Sequence, residues 1–115
     1  MSYKIHEITG EYATDADSGQ QVYDLIYAEL LAGKSVELDF SGVSVFATAF
    51  FNFAIGQLLK DLSSDALNKL LKITGLTPNG YSVLKRVVDN AKHYYSDAQY
   101  QKAVDTVLEE YAASF

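Results

Sequence analysis

Between Ser35 and Phe40 the chain alternates, with Val36, Leu38 and Phe40 apolar against Glu37 and Asp39, and Ser41-Gly42 follows. A period of two closed by a turn signal predicts a strand buried on one face. Tyr3 to Ile8 repeats the period more weakly, Tyr3 and Ile5 opposite Lys4, His6 and Ile8, and reads as a half-exposed edge strand. Leu70 to Thr74, ended by Gly75, supplies a third. Elsewhere the period lengthens to three or four. Ser18-Gly19-Gln20-Gln21 has the spacing of a capping box and predicts a helix through Val22, Leu25, Ile26, Leu30 and Leu31, stopped at Gly33. Val43 to Phe46 reads as a connection. From about Thr48 the residues Phe50, Phe51, Ala54, Ile55, Leu58, Leu59 and Leu62 cover so wide an arc that one long, deeply buried helix is expected. Ser63-Ser64-Asp65 ends it and caps a short turn. Thr77-Pro78 starts another helix, which carries Val83, Leu84, Val87, Val88 and Ala91 to about His93. Ser96-Asp97-Ala98-Gln99 is a further capping box, and Tyr100, Ala103, Val104, Val107, Leu108 and Tyr111 form the stripe of a C-terminal amphipathic helix.

The order strand, helix, strand, helix, strand, helix, helix predicts an α/β fold. It consists of a small mixed or mainly parallel sheet of three to four strands packed with helices and finished by the amphipathic helix. At 115 residues, one domain over 1–115 is expected.

Composition narrows the function classes. The apolar share of 49% and charged share of 21% suit a globular chain with material for a core. With no cysteine, disulfides, thiol nucleophiles and thiolate metal sites are excluded. A net charge of −6 argues against direct, nonspecific nucleic-acid binding, which needs a basic surface. Lys85-Arg86 with Lys92 and His93 is the one cationic cluster, and it reads as a solvated helix face. The first residues lack the apolar run of a secretory signal, and no segment approaches the ~20 apolar residues of a membrane span, so a cytoplasmic location is expected.

The search for catalytic chemistry returns little. His6 and His93 are isolated, no glycine pattern matches a phosphate loop, and no histidine stands in sequence beside a serine or threonine nucleophile. The Asp15/Asp17 and Glu109/Glu110 pairs sit among polar neighbours, where carboxylates stay solvated and ordinary. No catalytic residue, cofactor or metal is therefore expected, and the chain is not expected to be an enzyme.

The string Val36-Glu37-Leu38-Asp39-Phe40-Ser41-Gly42-Val43, with Phe46 to Phe53 and Ile55-Gly56-Gln57-Leu58-Leu59 behind it, resembles the STAS-like family of unknown function. STAS abbreviates sulfate transporter and anti-sigma-factor antagonist. The resemblance runs from near Val22 to Ile73 and on to Val83-Leu84-Lys85-Arg86-Val87 and Tyr94-Tyr95. It implies a sheet backed by helices that serves as a regulatory, protein-binding module of bacterial type. In the STAS domains that oppose anti-sigma factors, a hydroxyl at the start of the helix after the central strand is phosphorylated, and its charge expels a partner kinase. Thr48 holds that position here. The flanking residues depart from the family pattern, Ala47 replacing the usual acid and Ala49-Phe50-Phe51 the usual small residue or glycine. Read from local chemistry alone, Thr48 is an N-cap.

The expected function is thus a non-catalytic regulatory interaction module, with a docking face over Ser41 to Asn52 that includes Ser44 and Thr48. Its expected partner is a protein, a kinase-like ATPase or another regulator, and the chain itself is a monomer or homodimer. The alternative is a small acidic inhibitor, of phage or mobile-element type, of a nucleic-acid-processing enzyme. Asp39 reads as a turn residue bonding to backbone beyond it, or as a binding residue. Asn52 is either a buried amide or a polar contact on the docking face. Tyr94 and Tyr95 are placed where the last two helices meet, one ring outward, as interface residues.

Overall fold

The computed structural model describes residues 1–96. The stripe from Tyr100 to Tyr111, and with it the expected C-terminal amphipathic helix, lies outside the described residues.

Three strands, β1 (Ser2–Lys4), β3 (Val36–Asp39) and β5 (Leu71–Thr74), form one parallel sheet in the order β1-β3-β5. The alternation puts Val36 and Leu38 on the buried face, with Tyr3 and Ile73 in register beside Leu38. The opposite face is polar. There Lys4 faces Asp39 and Glu37 faces Lys72 across the ladders, so unlike charges neighbour each other. Thr74 adds a hydrogen bond from its hydroxyl to Glu37 Oε2 (3.2 Å).

The core lies on the apolar face under the helices α2 (Ala16–Leu31), α3 (Thr48–Ala54) and α5 (Pro78–Ser96), with the short α1 (His6–Thr9) and α4 (Ser64–Leu70) beside them. Phe40, Phe46, Phe50 and Phe51 form its centre, their ring centroids 5.4 to 6.3 Å apart in tilted, stacked and edge-on pairs. Burying each such ring is worth about 1.5–3 kcal/mol, and an aromatic pair adds roughly 0.5–1.5.

Several elements differ from expectation for identifiable reasons. The first strand ends at Lys4, because Ile5 is drawn into the core and the chain coils into α1. Helix α2 starts before the Ser18 box, since Asp15 caps it by accepting from the Ser18 N–H (3.0 Å). It ends at Gly33 as expected, with φ +80° and the 6→1 bond from Lys34 N–H to the Glu29 carbonyl (2.9 Å). Two short strands were not foreseen: β2 (Tyr12–Ala13) and β4 (Val45–Phe46) pair in parallel as a separate ribbon.

The long helix expected from Thr48 is broken. Ile55 leaves helical geometry at φ −126°, and Gly56–Lys60 continues as a 3₁₀ helix. The tighter winding aligns Ile55 with Leu58, three residues on, and both are inside at 1% and 0% exposure; Leu59 is buried beside them at 7%. Helix α5 begins at Pro78 behind the Thr77 hydroxyl, which accepts from Gly80 N–H (3.1 Å), and runs on past His93 to Ser96. No helix among the described residues is long and apolar enough to cross a membrane.

Candidate functional site

The parallel ribbon β2–β4 and the two helices that leave it build the surface of interest. Glu11 O accepts from both Ser44 N–H (2.9 Å) and Val45 N–H (3.1 Å), and Ala13 O accepts from Ala47 N–H (3.1 Å). The two chains therefore pass from strand to helix side by side, α2 and α3 pointing the same way. Gly19 lets them touch, for a side chain there would run into the Phe50 carbonyl oxygen and lie 3.0 Å from Phe53 Cβ. Farther along, Gln57 Nε2 donates to Gln20 Oε1 (3.0 Å), and Gln20 Nε2 to Asp24 Oδ1 (2.9 Å).

Helix α3 turns Phe50, Phe51 and Ala54 into the core and leaves Thr48, Ala49, Asn52 and Phe53 outward. Ser44 is exposed, Val45 is 41% and Phe53 43% exposed, and Tyr12, in register with Val45, is 59% exposed. The result is a surface of aromatic and aliphatic groups interspersed with the hydroxyls of Ser44 and Thr48.

Thr48 is not an N-cap. The cap position is Ala47, in extended geometry at φ −135° and without a capping side chain, and Thr48 is the first helical residue. The ribbon dictates this, because the bond to Ala13 O holds Ala47 extended and shifts the helix start by one residue. Asn52 is exposed rather than buried, so it is not the buried amide of one of its two readings.

Asn52 also meets the tyrosine pair. With Gly56, Gln57, Asn90 and Ala91 these three residues line a groove of about 320 Å³ between α3 and α5. Tyr94 is 56% exposed and Tyr95 half-buried against the core, their rings edge-on with centroids 4.8 Å apart. Tyr94 is the more exposed of the two, both line the side of α5 that faces α3, and the expected meeting with a last helix lies outside the described residues. On the far side of Tyr95 a hollow of about 560 Å³ carries both signs of charge, from Lys60, Lys92, Asp61 and Asp89.

Asp39 does not line the groove. It closes the turn after β3, accepting from Ser41 N–H (2.9 Å), beneath Gly75, whose φ of +75° and close approach to Ser41 leave no space for a side chain. Hydrogen bonds from Ser41, through its side chain and then its backbone, hold the Asp39 carboxyl below the usual carboxylate range, and Lys4 adds attraction. Among the described residues no cluster of three or more His, Asp and Glu is spaced to hold a metal ion.

Sequence reading missed Tyr12, Val45 and Phe53. No local period marks any of them, and only the ribbon register and the helix orientation show these three facing out.

Among known families, one model matches: the STAS-like domain of unknown function (DUF4325), over residues 18–81, more than half of the chain. That span runs from the first turn of α2 into α5 and includes the whole of α3. No curated protein matches the chain. No solved structure matches it either.

Proposed function

The chain belongs to the STAS-like family of unknown function, and we propose that it acts there as a non-catalytic regulatory module that docks a partner protein on the β4–α3 surface. The observation carrying this reading is the outward row Val45, Thr48, Ala49, Asn52 and Phe53. A helix whose inner side buries two phenylalanines completely leaves a third 43% exposed, and the strand that leads into it leaves Val45 41% exposed. Apolar groups of this kind, ringed by small polar ones, form the centre of many docking surfaces.

Thr48 is the control point in this proposal. A phosphate there brings about −1.5 to −2 charges into the middle of the apolar contact, so the cost of desolvating it opposes a docked partner. The partner proposed is a kinase-like ATPase or another regulator. The test is an affinity pull-down from the native host with wild-type and Thr48→Glu baits, read by mass spectrometry. A regulator retained by wild type and lost by the variant is the expected result. A nuclease or polymerase retained by both baits would instead support an acidic inhibitor and leave Thr48 without a switching role.

A further inference from the structure

We infer that the docking surface takes a basic partner, a protein segment whose lysines or arginines flank an apolar anchor. This rests on the docking proposal and adds the chemistry of what docks.

The charges of this chain are segregated. From Ile5 to Leu59 the only lysine or arginine is Lys34, whereas Glu7, Glu11, Asp15, Asp17, Asp24, Glu29, Glu37 and Asp39 fall in the same stretch. All of β2, α2, β4 and α3 lie within it and contain no lysine or arginine.

The structure brings four of these acids to the rim of the apolar row. Glu11 shares its carbonyl with Ser44 and Val45, which sets it at the β4 end. Asp15 follows Ala13, the residue bonded to Ala47, and so stands beside Thr48. Asp17 and Asp24 lie two turns apart along α2. Asp24 is tied through Gln20 to Gln57, one turn past Phe53, which sets the Asp17–Asp24 stripe on the solvent side of α2, above the contact that Gly19 makes with α3. Glu11, Asp15, Asp17 and Asp24 are all exposed. The centre they surround, Tyr12, Val45 and Phe53, is apolar. No cation of the four elements neutralises them, so a partner's cations find unpaired carboxylates there. The same field speeds the encounter of a cationic segment. Lys85 and Arg86 are on α5, which packs against α3 and against the 3₁₀ helix after it, where Gly56 meets Val87.

The test is a selection of random peptides displayed on phage against the full-length protein, with the winners synthesised and titrated at low and at physiological salt. Peptides carrying lysine or arginine around one or two apolar residues are expected. Their affinity should fall steeply with salt, and by roughly tenfold for the triple variant Glu11→Gln, Asp17→Asn, Asp24→Asn, which removes three exposed partners for the peptide's cations. It should be lost in Val45→Ser, Phe53→Ser. Circular dichroism of both variants checks that they fold. Neutral or acidic winners that still require Val45 and Phe53 would overturn the basic partner and leave the docking surface standing. Winners indifferent to Val45 and Phe53, or no winners, would overturn both.

Discussion

Gly19→Ala sets two physical effects against each other. In an exposed helix interior the change is favourable by about 0.8–1.0 kcal/mol, because alanine loses less backbone entropy on folding. Position 19 is buried at the α2–α3 contact, and a methyl there meets the Phe50 carbonyl oxygen, Phe53 Cβ at 3.0 Å and the Ala54 nitrogen at 3.2 Å. Two of these three atoms are backbone and cannot swing aside, so α2 has to move off by an amount on the order of 1 Å to restore ordinary contact distances. Overpacking of this kind costs about 1–3 kcal/mol, and a backbone obstacle places it at the upper end. The net expectation is a loss of about 2 kcal/mol, or a midpoint lowered by roughly 8 °C at about 4 °C per kcal/mol for a chain of this length. Thermal and urea unfolding by circular dichroism read it, with exposed Gln21→Ala as a control expected to change little. A Gly19→Ala protein that melts at or above wild type would refute the close contact of α2 with α3.

Three further outcomes follow from the same geometry. Phe51→Ala removes a fully buried ring in contact with Phe40, Phe46 and Phe50 and should cost about 3–5 kcal/mol, whereas Phe53→Ser should stay within about 0.5 kcal/mol of wild type in the same melts. The Asp15 and Asp39 carboxyls are both held low, Asp15 by the Ser18 backbone and side chain, so their contribution is present above the ordinary carboxylate range and lost as pH falls through their lowered values. Asp15→Asn with Asp39→Asn should therefore flatten the acid limb of a stability–pH curve. The Tyr3 hydroxyl donates to Glu29 Oε2 (2.8 Å), which with burial raises its ionisation above that of a free phenol; in an NMR titration Glu29→Gln should bring the Tyr3 transition down.

The parts of the fold that were legible in the sequence are those whose pattern is local. Val36 to Phe40 alternates because one sheet face is dry and the other wet, and no distant residue is needed to see it. Gly33, Thr77-Pro78 and the Asp39 turn are likewise decided by chemistry within a few residues. The ribbon was not legible, since two-residue strands carry no period. It arises because carbonyls of Glu11 and Ala13 meet the amides of Ser44, Val45 and Ala47, more than 30 positions away. That unseen pairing also explains the misreading of Thr48, because the ladder, and not a side chain, sets where α3 begins. At the start of α2 two caps competed within three residues, and Asp15 prevailed over Ser18. The groove joining Asn52 to Tyr94 and Tyr95 depends on how α5 crosses α3, which periodicity leaves open.

The distribution of aromatic residues along α3 argues that its outward face is selected for contact rather than left over from folding. Phe50 and Phe51 are needed inside, where they close the core around Phe40. Phe53 is turned outward: the residue is 43% exposed, with its Cβ near Gly19. Its exposed part adds nothing to the core and carries a solubility cost. The helix that bears it is also unusually well fixed. Along its flank Gly19 admits α2 to backbone contact, and just past its end Gly56 of the 3₁₀ helix admits Val87 of α5 to within 3.3 Å of where a side chain would begin. A face fixed in this way loses little further freedom when a partner covers it, so the gain from burying Val45 and Phe53 is not consumed in ordering them. Rigidity without exposure would serve stability alone. The two occur together on α3, beside a hydroxyl that no capping role occupies, and this combination favours docking over a purely structural role.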